Sequence, residues 1–288
     1  MKNKNVKKAL AKTYIGLILI FMYLPIIVLT IYSFSTSKVI GGTGEFTFEN
    51  FNKLFHNSDI MAALGNTILI ALISAFVSTF LGTLGAIGAF YSKRKGKKAI
   101  NMATQIPIAN AEIVIAFSLT ILFVFLGQYV FKKDLFSFWT LLIGHVSLSI
   151  PFVFINVKPK LQQMDPSLYE AALDLGASPM QALRKVILPE ITPGVLSGFM
   201  LSVTLSLDDF IITSFTRGAG LLSGNNNITT ISTFVQDSLK RKSVPIETRA
   251  LCSVVFLAVV IGVAIISIYK KKAMTKSKKR KGRVLYAK

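Results

Sequence analysis

Six long apolar stretches constrain this chain more than any other feature of its sequence. Each is roughly 20 residues long, the length that an α-helix needs to cross a hydrocarbon core about 30 Å thick. Inside a bilayer the backbone finds no water to bond with, so only helices and closed barrels span it. The sequence therefore predicts an all-α membrane protein with six transmembrane helices, near 14–34, 64–90, 106–127, 135–157, 194–216 and 250–270.

Basic residues are segregated from these apolar stretches. The chain has 288 residues, 52% of them hydrophobic, yet its formal net charge is +20. Lys and Arg cluster before the first stretch, in the loop after the second, and after the sixth. Because basic flanks stay in the cytoplasm, we expect both termini to lie there. The predicted organisation is a basic N-terminal segment at 1–13, one six-span domain at 14–270, and a basic tail at 271–288. The tail is expected to act as a simple topology anchor, and contact with anionic lipid headgroups is the alternative.

Some features of the charge distribution allow other interpretations. Loop 217–249 should be external by alternation, yet it holds five basic residues against two acidic ones. The basic ends of the chain outweigh it, since long external loops follow the charge rule loosely.

The first stretch resembles a signal peptide, but it is too long and lacks a small-residue cleavage site, so we expect a retained span. Nucleic acid is not an expected partner, because the basic residues flank apolar runs and form no aromatic-basic groove pattern.

Cysteine and histidine are too sparse to suggest a metal site. Cys252 is the only cysteine, which excludes an internal disulfide and a multi-thiolate site. The two histidines, His56 and His145, have no companion ligands nearby in the sequence. A lone histidine is usually satisfied by packing or water, so we predict no metal.

Three acidic residues stand inside the predicted spans. An ionised side chain near the bilayer centre costs at least about 2.5–3.5 kcal/mol, which makes each one a functional candidate. Glu112 lies in span three, where Pro107 and Asn110 also predict an irregular start. Asp208 and Asp209 lie in span five, and neighbouring residues on a helix point about 100° apart. The two side chains can face one point only if the helix unwinds. Otherwise one of them faces the translocation path, while the other pairs across a subunit interface or caps a broken helix.

The absence of Lys and Arg from these two spans favours a cationic solute. An uncompensated carboxylate attracts a positive partner, and we expect such a partner to pass along these spans. The alternative is that the acids are protonated or are hydrogen-bonded to nearby hydroxyls, namely Ser206, Thr204, Thr213 and Ser214.

The longest predicted internal loop, 158–193, has the pattern of two short helices. Asp165 is placed to cap the first, and Gly176 is placed to end it in the left-handed conformation. Ser178 begins the second with a capping box, and Pro189 ends it. Small alanines and a glycine bend suit close contact with a partner; an interfacial helix lying on lipid is the alternative. The acidic residues of the loop argue against an anionic membrane surface.

This loop resembles the EAA loop of ABC importer permeases. The family pattern is EAA, three residues, G, nine residues, I, one residue, LP, and this chain departs from it only at Val186. The resemblance implies the type I ABC importer permease (MetI-like) fold, with cytoplasmic coupling helices that insert into a separate ATPase. The chain has no GxxxxGK[ST] phosphate loop, so it is not expected to hydrolyse ATP itself. The residues expected to couple to the ATPase are Glu170, Ala171, Ala172, Gly176, Val186, Leu188 and Pro189.

Three segments resemble the spermidine/putrescine permeases within that family. They read LSLDDFIITSFTRG at 205–218, AEIVIAFSL at 111–119 and EAALDLGAS at 170–178. The resemblance associates acids at these positions with polyamine passage, and adds an aromatic residue in the first external loop. Phe51 and Phe55 are the candidates for that aromatic residue, although the family has Trp there. The expected substrate path comprises Asp208, Asp209, Glu112, Ser206 and Phe51.

The resulting expectation is a permease subunit of an ATP-driven polyamine importer in the bacterial inner membrane. The implied partners are a homologous second permease, two copies of an ATP-binding subunit and an extracytoplasmic polyamine-binding protein. This chain carries no cofactor, and ATP with Mg²⁺ belongs to the ATPase. Alternatives are a permease for another small solute and a secondary cation transporter, although the paired inverted repeats of the latter are missing. An intramembrane aspartyl protease needs two Asp residues from different spans, and here the two are adjacent.

Overall fold

A computed structural model of the chain describes residues 2–37, 41–165, 167–218, 228–240, 246–257 and 260–261. These residues fall into two compact units, one within 1–58 and 238–288 and the other within 59–237. The described elements are helical apart from one isolated β-bridge between Ser35 and Phe46.

The first unit holds a long apolar helix and a short amphipathic one. Helix α1 (Lys2–Ser33) has an apolar stretch with none of its residues buried, as expected of a helix that faces lipid or another chain. Helix α2 (Glu49–His56) turns Asn50 inward, where its side-chain amide donates to the Ser33 and Ser35 carbonyls at 2.9 Å each. The bond to Ser33 satisfies a carbonyl group that the end of α1 leaves without an intrahelical partner.

The second unit is built on α6, the most buried of the long helices. The buried side chains of α6 join three apolar clusters with residues of α3, α5, α9 and α10. The helices of this unit are α3 (Ser58–Tyr91), α4 (Arg94–Ala109), α5 (Glu112–Phe125), α6 (Phe138–Gln163), α7 (Ser167–Asp174), α8 (Pro179–Ala182), α9 (Leu188–Asp208), α10 (Ile211–Thr216) and α11 (Ile231–Lys240), of which α11 extends into the first unit.

A row of small residues brings α9 close to α6. Gly194, Gly198, Ser202 and Ser206 recur every fourth residue, which places them on one face of the helix, and all four are buried. A Cβ atom added at Gly198 would lie 3.1 Å from the Cα atom of Val153 on α6. Small residues at this spacing let two helix backbones approach closely, as is common in membrane proteins.

The short helices α7 and α8 form as the sequence predicts. The Asp165 carboxylate accepts the Ser167 amide at 3.0 Å, which confirms Asp165 as the cap of α7 and holds its pKa below the usual range. Gly176 has a φ of +83°, the left-handed conformation expected at the end of α7. Ser178 and Gln181 form the expected capping box at the start of α8.

The prediction that Pro189 ends the second short helix is wrong. Helical structure continues from Pro179 to Asp208, through a π-helical segment at Leu183–Ile187 and past both Pro189 and Pro193. A proline ring clashes with the carbonyl four residues earlier in a regular α-helix. The wider π turn immediately before Pro189 provides the room that a regular turn lacks.

Among the described residues, five helices are long and apolar enough to cross a membrane. They cover Lys12–Ser33, Ser58–Tyr91, Glu112–Phe131, Phe138–Gln163 and Pro179–Asp208. The third begins at Glu112 rather than near 106, because the chain is extended at Asn110 after α4 ends. Residues 246–257 are helical. Most of the predicted sixth span beyond 257, and the basic tail at 271–288, lie outside the described residues.

Candidate functional site

The fifth long helix breaks at the pair of aspartates. Helix α9 ends at Asp208, Asp209 is extended with φ −60° and ψ 126°, and α10 begins at Ile211. The helix is therefore unwound at the two adjacent aspartates, which is the condition for both side chains to face one point. Asp209 is 5% exposed, and its carboxylate accepts the amides of Ile212 and Thr213 at 3.1 and 2.8 Å. Of the roles open to these acids, Asp209 takes that of a cap on a broken helix.

Glu112 approaches this break from another helix. It is the first residue of α5, where the helix macrodipole favours a negative charge. Its side chain is half-buried, and the carboxyl groups of Asp209 and Asp208 are close enough to interact with it electrostatically. The structure therefore brings together three acids, of which Glu112 is distant in sequence from the other two. We refer to Glu112, Asp208 and Asp209 as the acid cluster.

Asp208 is the exposed member of the acid cluster. It stands at the carboxyl end of α9, where unpaired carbonyl groups give the helix a partial negative charge. A carboxylate is unfavourable at that end unless a cation lies near it. Among the described residues no Lys or Arg forms an ion pair with the acid cluster, and the His145 ring nitrogen Nε2 lies 3.5 Å from the Asp209 carboxylate. The break thus combines carboxylates and helix carbonyls around a place suited to a cation.

A buried chain of hydrogen bonds supports Asp209 from within the helix bundle. The Thr213 hydroxyl donates to Asp209 Oδ2 at 2.8 Å, and His145 Nε2 lies 3.0 Å from Thr213 Oγ1. His145 Nδ1 lies 2.7 Å from Ser206 Oγ, which accepts the Ser74 hydroxyl at 3.1 Å. We refer to Ser74, Ser206, His145, Thr213 and Asp209 as the buried polar chain. It joins α3, α6, α9 and α10 at the helix break.

In the sequence His145 stands alone, with nothing to connect it with the acids. Its partners lie 61 and 68 residues away along the chain, so no local motif shows them. The four-residue repeat of small side chains on α9 is the signal that could have found it, since that row ends at Ser206 and predicts a tightly packed neighbouring helix. The expected bond between an aspartate and Thr213 is present, whereas the Thr204 hydroxyl bonds to the Met200 carbonyl instead.

Phe51 lies in the first unit and packs in a cluster of four phenylalanines. Its ring centroid is 4.8 Å from that of Phe34, and Phe46 and Phe48 complete the group. Phe55, the other candidate, is exposed and lies on the same short helix. A role for either residue in substrate passage stays a prediction.

The predicted coupling residues lie within 167–189, which we call the α7–α8 segment, and most of them are exposed. Glu170, Ala171 and Gly176 are exposed, as are Leu188 and Pro189. Ala172 and Val186 are half-buried. The neighbouring Ile187 and Ile191 are fully buried in a cluster with residues of α3 and α6. Because the exposed coupling residues lie directly beside this buried cluster, a force applied to them by a partner protein can be transmitted to the helix bundle.

Two of the basic residues in loop 217–249 have bonding partners within the protein. Arg217 pairs with Asp237 at 3.2 Å. Arg249 donates to the Ser37 carbonyl at 2.9 Å. As for metals, no group of three or more His, Cys, Asp or Glu side chains suited to a metal ion occurs in the part of the chain that the structure describes.

Comparison with known proteins places this architecture among transport components. Residues 78–270 match the family described as binding-protein-dependent transport system inner membrane component. The spermidine/putrescine transport system permease protein PotC of Escherichia coli K12 is 35% identical over 198 residues, which cover 69% of this chain and 73% of that protein. The putrescine transport system permease protein PotI of the same strain is 30% identical, with 83% of each chain covered.

A solved structure shares the fold at low sequence identity. A chain of a bacterial ABC transporter involved in the import of the acidic polysaccharide alginate superposes with a TM-score of 0.69, at 19% identity. The superposition covers 92% of this chain and 94% of the other. The likeness concerns the fold alone, since that transporter carries an anionic substrate.

Proposed function

Because the chain belongs to the family of binding-protein-dependent transport system inner membrane components, we propose that it is a permease subunit of an ATP-driven importer of polyamines, spermidine or putrescine. It is a transport component of the membrane and not an enzyme in its own right. The matched region covers most of the helices described above, including the acid cluster and the α7–α8 segment.

The acid cluster is the observation that carries the choice of a cationic substrate. Glu112 and Asp208 are at least partly accessible, stand beside a helix end of negative polarity, and have no Lys or Arg partner among the described residues. A polyamine supplies ammonium groups that can bond to carboxylates and to free helix carbonyls together. Relatives named for spermidine and putrescine transport support the same substrate class.

The partners follow from the family and from the α7–α8 segment. We infer a homologous second permease that completes the translocation path, and two copies of an ATP-binding subunit that hold ATP and Mg²⁺. An extracytoplasmic binding protein delivers the polyamine, and the protein lies in the inner membrane with both termini in the cytoplasm. Exposed Glu170, Ala171 and Gly176 form the surface that contacts the ATPase.

Transport then follows as an exchange between two orientations of the helix bundle. ATP closes the paired ATP-binding subunits, and their movement reaches the bundle through the α7–α8 segment. Helix α9 begins at that segment and ends at Asp208, so one continuous element links the ATPase surface to the acid cluster. The cation binds there only briefly, because tight binding would prevent its release on the inner side.

Uptake by the purified complex in liposomes tests the proposal. This chain, the second permease and the ATP-binding subunit are reconstituted together, and labelled spermidine is supplied with its binding protein, with ATP enclosed or absent. We expect ATP-dependent accumulation that unlabelled putrescine reduces and that an uncharged sugar does not. Accumulation driven by an ion gradient without ATP would indicate a secondary transporter. An assembled complex that hydrolyses ATP but accumulates no polyamine would indicate another solute.

A further inference from the structure

His145 is 1% exposed and bonds to both of the helices that meet at the break. A titratable side chain with two polar partners, buried in a membrane protein, calls for a physical reason. The directions of its hydrogen bonds supply one.

The proton positions in the buried polar chain follow from the carboxylate at its end. The single hydroxyl proton of Thr213 is donated to Asp209 Oδ2, 2.8 Å away. Thr213 Oγ1 must therefore accept the hydrogen bond from His145, so Nε2 carries a proton. In the neutral ring Nδ1 then accepts from Ser206, which accepts in turn from Ser74. With its proton on Nε2, a neutral His145 ring can therefore make both of its hydrogen bonds in the buried polar chain. Every donor in that chain then points toward Asp209.

This direction leaves most of the acceptor sites of the Asp209 carboxylate occupied. Its carboxylate accepts three hydrogen bonds, from the Ile212 amide and from the amide and hydroxyl of Thr213, with His145 Nε2 3.5 Å away. A carboxylate bonded in this way is held in one orientation and has little acceptor capacity left for a substrate. Glu112 and Asp208 are the members of the acid cluster that remain accessible.

We propose that His145 is a positioning residue: acting through Thr213, it fixes Asp209 as the cap of the helix break and leaves Glu112 and Asp208 to receive the cation. The proposal rests on the proposed function of the acid cluster. It assigns different tasks to the adjacent aspartates, one structural and one in contact with substrate.

Two variants of His145 test the proposal in the reconstituted complex. The side-chain amide of His145→Gln can donate near the position of Nε2, whereas His145→Leu fills similar space without a donor. We expect His145→Leu to raise the KM for spermidine about tenfold, the effect of losing a hydrogen-bond arrangement around a charged group, with a smaller change in Vmax. His145→Gln should recover most of that loss. Thr204→Val is the matched control, because the Thr204 hydroxyl bonds only within its own helix.

Amide hydrogen exchange over 209–217 provides a readout that does not depend on transport. In assembled His145→Leu complex, we expect faster exchange at the Ile212 and Thr213 amides, which Asp209 holds. Unchanged exchange would overturn the proposal, as would an unchanged KM despite faster exchange, or a Gln variant as impaired as the Leu variant. If the wild-type complex takes up no polyamine, the proposed transport function is wrong. The exchange result then still decides whether His145 fixes Asp209 as the cap of the helix break.

If the His145→Leu complex does not assemble, a second set of variants tests the proposal. His145→Gln, Thr213→Val and the double variant form a cycle in which groups acting through one another give non-additive effects on exchange. Additive effects would contradict the proposed action of His145 through Thr213.

Discussion

At the scale of single residues, the adjacent aspartates differ most in their accessibility. Asp208 is exposed at the end of α9, whereas Asp209 is buried and accepts three hydrogen bonds. A polar group whose partners are internal contributes chiefly to structure, and an exposed charge with no described cation nearby is free to bind one. Two neighbouring residues of the same type are therefore expected to fail in different ways when they are changed.

Asp208→Asn removes a charge without removing a described hydrogen-bond network. We expect spermidine uptake to fall at least about tenfold, since one charge-assisted contact contributes roughly 1.5–3 kcal/mol, while the melting temperature of the complex stays unchanged. Uptake and thermal melting of the same preparations provide the measurement. Asp134→Asn is the control, because it also neutralises an exposed carboxylate and its amide oxygen can still accept the Phe136 amide. Full uptake by Asp208→Asn would contradict direct contact with the cation.

Asp209→Asn should affect the fold as well as transport. The new amide has one acceptor oxygen in place of two, so it cannot keep all three hydrogen bonds from Ile212 and Thr213. Leaving a buried donor unsatisfied costs about 1–3 kcal/mol, which predicts a lower melting temperature for the complex. A melting temperature equal to that of wild type, measured at equal assembly, would show that Asp209 is not the cap.

At the scale of helices, the close approach of α6 and α9 depends on glycine. A Cβ atom at Gly198 would lie 3.1 and 3.2 Å from the Cα and Cγ1 atoms of Val153. Gly198→Leu should therefore destabilise the protein by about 1–3 kcal/mol through overpacking, measured as a lower melting temperature in detergent. Gly88→Leu is the control, since nothing lies within 4 Å of a Cβ atom there. Equal melting temperatures of the two variants would argue against the tight contact.

The bend between α7 and α8 depends on a left-handed backbone. Gly176 has a φ of +83° and open space around it, so a side chain there is opposed by conformation and not by crowding. Because that conformation costs an L-residue roughly 1–2 kcal/mol, Gly176→Ala should shift the orientation of α7. We expect weaker retention of the ATPase when this chain is affinity-purified. Gly65→Ala, a change within a helix with nothing nearby, should retain the ATPase fully.

At the scale of the whole molecule, the exposed α7–α8 segment and the acid cluster are joined by a single continuous helix. Its length from Leu188 to Asp208 is 21 residues, which spans about 30 Å at 1.5 Å per residue. Movement imposed at one end therefore reaches the other without a flexible connection. The two predicted functions of the chain, energy coupling and passage of the cation, are physically linked through α9.

Glu170→Lys tests this link at the ATPase end. Reversing an exposed charge in the predicted contact surface should abolish ATP-driven uptake and reduce copurification of the ATPase, while the second permease still copurifies. Retention of the second permease distinguishes a lost ATPase contact from a misfolded chain. Full ATP-coupled uptake by the variant would contradict the assignment of the α7–α8 segment as the coupling surface.

The sequence by itself determined the features that depend on local chemistry. Apolar length predicted the five long apolar helices of the described residues, and capping residues predicted both ends of α7 and the start of α8. Acidic residues without a basic partner in the same apolar stretch were enough to mark the candidate site. Each of these depends on residues close together in the chain, so the physical cause lies within reach of one helix or one turn.

The tertiary structure alone decided how those residues act together. It showed that Asp209 faces inward to Thr213 while Asp208 stays exposed, and it brought Glu112 to the same break from α5. It also supplied His145 as a partner. Propensity did not reveal the continuous passage of the helix beyond Pro189, because the π turn just before this proline gives room that a regular turn lacks. Contacts between distant segments depend on how the helices pack, and no local pattern in the sequence encodes that packing.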